Sequence, residues 1–95
     1  MSSYKTPNID FMMKYVVDFL EGRMPRWAFD IDYSHHIMKR YPKMYREFPD
    51  FAEAFEFYIG ECGVDCGDGL SDASYKKLIR KQYKALMTAA SDGLF

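Results

Sequence analysis

Apolar residues recur along this chain at the three-to-four-residue spacing of helices, in stretches divided by glycine and proline. Ile9 to Glu21 is the clearest stretch. At about 100° per residue, Phe11, Met12, Met13, Tyr15, Val16, Val17, Phe19 and Leu20 cover about two-thirds of a helical circumference. Asp10, Lys14, Asp18 and Glu21 are left as one polar strip. Asn8 is a suitable N-cap and Gly22 a suitable stop, while residues 1–7 are polar, end in Pro7 and read as a flexible arm. A helix this apolar is either central to its fold or turns one side to a partner.

The next segment supports two readings. Pro25 suits the first turn of a helix and Tyr41, ahead of Pro42, suits its end; Phe29, Tyr33, Ile37 and Tyr41 then share a face. Yet Trp27, Phe29, Ile31 and Tyr33 also alternate with Ala28, Asp30 and Asp32, as in a strand. The lack of a second strand to pair with favours the helix.

Residues 42–48 read as a connection that can hold a short helical turn, and Pro49 opens a third helix to about Glu61 with Phe51, Ala54, Phe55, Tyr58 and Ile59 as its apolar stripe. Gly60, Gly63, Gly67 and Gly69 then break the chain into a surface loop. Ser71 caps a last helix whose stripe is Tyr75, Leu78, Ile79, Tyr83, Leu86 and Ala90, with Asp72 well placed in the first turn. The pattern predicts an all-α fold, a compact bundle of about four helices forming one domain over residues 8–95. Its expected core is Phe11, Tyr15, Phe19, Phe55, Tyr58, Leu78, Ile79 and Tyr83.

Composition adds one point. Eight Phe, eight Tyr, one Trp and seven Met are more than a 95-residue core readily absorbs, so some are expected at the surface, where such residues serve interfaces.

Charge changes the picture more. Eight acidic residues and no basic one lie between Glu47 and Asp72, and then Lys76, Lys77, Arg80, Lys81 and Lys84 put five positive charges into nine residues. The net charge of -1 conceals this sorting, which bears on partner choice and association rate rather than on fold.

Candidate chemistry is sparse. Cys62 and Cys66 with His35 and His36 are the only residues at metal-ligand spacing, but adjacent histidines rarely both ligate and no second spaced pair exists. Asp65, Asp68 and Asp72 fail the calcium-loop pattern, because Gly67 and Gly69 stand where oxygen ligands are needed. Cys66, His35 and Asp30 supply the residue types of a nucleophilic site without any spacing that would unite them. No catalytic residue, metal or cofactor is therefore expected, and Cys62 and Cys66 read as reduced thiols. No apolar run reaches the ~18 residues of a membrane span and no signal-peptide core follows the start, so a soluble cytoplasmic chain is expected.

Two surfaces remain. Lys76, Lys77, Arg80, Lys81 and Lys84 lie within an arc of about 140°, as on a helix tracking phosphates; a solvated face or an internal complement to the acidic segment are the alternatives. On the third helix Phe57 falls among Asp50, Glu53 and Glu56, opposite the apolar stripe, like an interface anchor with an acidic rim.

Phe19-Leu20-Glu21-Gly22 with Pro25 and Phe29, and Gly69-Leu70-Ser71-Asp72 with Tyr75, resemble small helical bacterial proteins of the immunity or toxin-neutralising kind, over about half the chain. Phage-encoded inhibitors are similar in size and logic. The resemblance implies a non-enzymatic protein whose acidic, aromatic-bearing face occludes a basic partner. On this chain that face is Glu53, Glu56, Phe57, Glu61 and Asp65. The alternative function is a nucleic-acid-binding or regulatory domain using the basic last helix.

Overall fold

The computed structural model describes residues 5–92. It contains four α-helices and, among the described residues, no strand: α1 (Pro7–Leu20), α2 (Arg26–Glu47), α3 (Pro49–Phe55) and α4 (Asp72–Ser91). α3 runs on into a wider π-helical turn (Glu56–Glu61), and a short 3-10 turn (Val64–Cys66) follows. All four helices turn one face to a continuous apolar core, as an all-α bundle requires.

Phe29 lies at the centre of that core. Its ring stacks on Phe19 at 4.3 Å and on Tyr15 at 5.1 Å, with Tyr33 at 5.9 Å and Tyr75 at 6.3 Å. The Tyr15 hydroxyl donates to the Phe29 carbonyl at 2.6 Å, so this buried polar tip has a partner. Residues 27–33 are thus helical; the alternation seen there is not a strand.

Several boundaries differ from those the sequence suggests. Residues 1–4 of the expected arm lie outside the described residues, and Pro7 already stands in the first turn of α1, with Thr6 in the cap position. Asn8 is therefore inside the helix rather than its cap. The missing cap comes from 38 and 39 residues away: the Glu47 carboxylate accepts the backbone N–H groups of Asn8 and Ile9, each at 3.0 Å.

That arrangement also explains why α2 does not stop before Pro42. Proline removes one intrahelical hydrogen bond, and the carbonyl left over is that of Met38, a residue on the solvent side of the helix. Beyond Pro42, the helix places Met44 fully in the core and Glu47 at the end of α1. Residues 42–47 are therefore helix rather than connection, and Phe48, with extended backbone (φ -159°, ψ 93°), alone joins α2 to α3.

The core is shifted from the expected one. Tyr15, Phe19, Phe55 and Ile79 are buried, while Tyr58, Leu78 and Tyr83 are half-buried. Phe11 is not core: it is 36% exposed, beneath the Arg40 guanidinium (3.6 Å from the ring centre) and edge-on to His36. A helix buried on one side has no room inward for all nine of its apolar residues. Met12, Val16, Met44, Ile59 and Leu86 fill the interior instead.

The glycine-rich loop is pinned rather than loose. Arg26, at the start of α2, donates to the carbonyl oxygens of Gly67 (2.8 Å) and Leu70, pairs with Asp30 (3.5 Å) and Asp72 (3.3 Å), and lies over the Tyr75 ring at 4.3 Å. The Tyr75 hydroxyl in turn donates to Asp30 at 2.6 Å. Ser71 caps α4 by accepting the Ser74 N–H at 3.2 Å.

Candidate protein interface

The π-helical turn positions the acidic, aromatic face. Its backbone bonds span five residues rather than four, as in the Cys62 N–H donating to the Phe57 carbonyl at 2.9 Å. Such turns are uncommon and concentrate at functional sites. Here the turn carries Phe57, which is 49% exposed and whose ring makes a T-shaped contact with that of Tyr58, at 5.1 Å.

The carboxylates expected around it divide into two groups. Glu53, Glu61 and Asp65 are exposed, and among the described residues none of them forms an ion pair. Glu56 is different: it is half-buried and turned toward α2, where it accepts a hydrogen bond from the Tyr33 hydroxyl at 3.2 Å. Burial holds the Glu56 carboxyl above its ordinary range, and Asp65 and Glu61 push the same way, while the Tyr33 bond opposes them. Burial, reinforced by Glu56, likewise pushes the Tyr33 hydroxyl strongly upward, so it remains a donor throughout the working pH range. Glu56 borders a shallow groove whose other walls are Ile37, Met38, Tyr41 and Pro42 of α2.

The basic residues of α4 also divide. Lys77, Arg80, Lys81 and Lys84 line one shallow groove, with no carboxylate among its described lining residues. Lys76 stands apart, half-buried with its ammonium 5.4 Å from the Phe19 ring centre. Arg80 is anchored at the groove edge by donating to the Leu20 carbonyl at 3.1 Å. Among the described residues, no cation of α4 pairs with a carboxylate of the 47–72 segment, although α4 packs against the π turn. The two charged surfaces do not neutralise one another.

The histidines and cysteines form no common cluster. His36 packs edge-on against Phe11 and Tyr15, and burial lowers its proton affinity. Cys62 is half-buried, and Cys66 is exposed with its thiol donating to the Glu61 carbonyl at 3.2 Å. Among the described residues, no three His, Cys, Asp or Glu side chains gather as a metal site, and no helix is long and apolar enough to cross a membrane.

One surface goes unanticipated by the sequence reading. Trp27, Ile31, Met38 and Tyr45 are 69%, 67%, 78% and 44% exposed on α2. Their spacing of 4, 7 and 7 residues would have signalled a common face had the helix been carried past Pro42. Neither a protein family, nor a curated protein, nor a solved structure matches this chain.

Proposed function

We propose that this chain is a non-enzymatic protein-binding domain of the inhibitor or immunity kind, whose acidic face around Phe57 engages a basic partner. The observation that carries the reading is the uncompensated charge. Glu53, Glu61 and Asp65 stand exposed with no ion-pair partner among the described residues, so the attraction they exert is directed outward. Phe57 supplies contact area that a partner can desolvate, with the carboxylates as a rim. Glu56 contributes less to steering, because Tyr33 and burial engage it from within.

The test is capture of partners from the native host on immobilised chain, followed by kinetics with the captured protein. Phe57→Ala should weaken binding by about 2 kcal/mol or more, mainly through faster dissociation. Glu53→Gln with Glu61→Gln should instead slow association, and added salt should mimic that change. A partner bound equally well by all these variants would refute the reading.

The groove of four cations on α4 supports a second reading, a nucleic-acid-binding domain. Micromolar or tighter duplex binding at physiological salt, lost on replacing Arg80 and Lys81 with Gln, would put it first.

A further inference from the structure

The groove beside Glu56 joins an apolar wall to a half-buried carboxylate. Ile37, Met38, Tyr41 and Pro42, on two successive turns of α2, supply the wall. The groove encloses about 430 Å³, the small end of ligand pockets. The Glu56 carboxylate is folded back over Gly60, where a Cβ would come within 2.8 Å of it. Its Oε1 takes the Tyr33 hydroxyl at 3.2 Å, and its Oε2 has no hydrogen-bond donor among the described residues. Pro42 has no N–H, so the Met38 carbonyl lacks its usual helical donor as well, on the α2 wall of the same groove.

Charge at the groove is of one sign. Burial raises the Glu56 carboxyl, followed by Asp65 and Glu61; burial also raises the Tyr41 hydroxyl, followed by Glu53 and Glu56. No cation opposes either shift. Glu53, Glu56, Glu61 and Asp65 form no ion pair among the described residues. Arg40 of α2 is occupied elsewhere, donating to the Asn8 side chain at 2.9 Å and lying over the Phe11 ring.

Apolar walls beside an unpaired carboxylate fit an occupant with an apolar stem and a cationic head. Lysine and arginine both have that build. Arginine is the better match, because guanidinium is less strongly hydrated than ammonium and stacks on aromatic faces such as that of Tyr41. It also brings five N–H donors, enough to serve the Glu56 carboxylate and the Met38 carbonyl together.

We propose that this groove seats an arginine side chain of the basic partner, with its stem along Ile37 and Met38 and its guanidinium between the Tyr41 ring and the Glu56 carboxylate. That the arginine belongs to a basic protein rests on the acidic-face reading, in which Glu56 now has a role of its own. Exposed Glu53, Glu61 and Asp65 attract at long range, whereas Glu56 acts on contact, where lost water strengthens a charged hydrogen bond.

The probe is Nα-acetyl-arginine N-methylamide, added to the full chain at constant ionic strength while the methyl NMR signals of Ile37 and Met38 are followed. Saturable shifts with a dissociation constant in the low millimolar range are expected for a single side chain. The uncharged citrulline analogue should bind about tenfold more weakly, and the lysine analogue about threefold. Glu56→Gln, which leaves Tyr33 an acceptor, should weaken the arginine probe about fivefold. The citrulline comparison uses the wild-type chain, so the test stands even if Glu56→Gln fails to fold.

Unmoved Ile37 and Met38 signals overturn the proposal, and so do arginine shifts that survive Glu56→Gln. Citrulline binding equal to arginine overturns it too, by marking a groove that is merely apolar. Lysine binding as tight as arginine overturns the choice of arginine. Because the probe needs no partner, the groove and the acidic face fail separately. Absent shifts, with Phe57→Ala still weakening a captured partner, remove the groove alone. Clear shifts, with a captured partner indifferent to Phe57→Ala, Glu53→Gln and Glu61→Gln, uphold the groove and remove the acidic-face reading.

Discussion

Glu47 completes a helix to which it does not belong: its Oε1 accepts the backbone N–H of Ile9 at 3.0 Å. Its Oε2 takes the Asn8 N–H at 3.0 Å and the Asn8 side-chain amide at 2.7 Å. Burial alone would raise this carboxyl, but the three hydrogen bonds, helped by Arg40, outweigh it and hold the value below the ordinary one. A carboxyl depressed by folding stabilises the fold above its unfolded pKa, and that contribution is lost as pH falls through the folded value. Glu47→Gln should therefore cost about 1–2 kcal/mol at pH 7. Urea midpoints should show the gap between wild type and variant narrowing toward pH 3.

Glu56 should behave in the opposite sense. Its carboxyl is raised, chiefly by burial, so the fold favours the protonated form, and this contribution fades as pH rises through the folded value. Glu56→Gln keeps an acceptor for Tyr33 and removes the charge. Its melting temperature should equal or exceed that of wild type at pH 7, and the advantage should disappear in acid. A clear loss of stability at pH 7 would contradict the half-buried placement.

Gly67 is required by proximity rather than by dihedral freedom. A Cβ there would stand 2.2 Å from the Tyr75 ring, which cannot retreat because Asp30 holds its hydroxyl and Arg26 lies on its face. Gly67→Ala should cost about 1–3 kcal/mol in denaturant unfolding. At Gly22 the backbone is left-handed (φ +82°) but nothing lies within 4 Å of a Cβ, so Gly22→Ala should cost only about 1 kcal/mol.

Phe55 and Phe57 stand on opposite sides of the boundary between α3 and the π turn. Phe55 is fully buried, so Phe55→Ala should cost about 3–5 kcal/mol. Phe57→Ala should leave stability within about 0.5 kcal/mol of wild type. Comparable thermal shifts for the two would show that the register assigned here is wrong.

The fold class was legible because the apolar spacing of α1, α3 and α4 is strong and glycines and Ser71 punctuate it. Phe57 was legible too, since its polar neighbours in sequence mark the outer side of its helix. Pro42 misled, because the local rule that proline ends a helix was overridden by distant gains at Met44 and Glu47. That early stop also hid Tyr45 and with it the outer face of α2. The π turn has no period to read, so the inward direction of Glu56 could not be foreseen. Phe11 shows the limit of wheel reasoning: a broad apolar arc does not say which edge Arg40 will cover.

The sole tryptophan of this chain sits on the outside of α2, far more exposed than any aromatic of the core. Its fluorescence is therefore nearly blind to unfolding, since indole is already wet in the native state. Tyrosine, with Tyr15, Tyr33 and Tyr75 buried, is the chromophore that follows the core. Tryptophan emission instead reports what happens on one surface: a shift to the blue at constant temperature, on concentration or on adding another protein, marks something settling against α2.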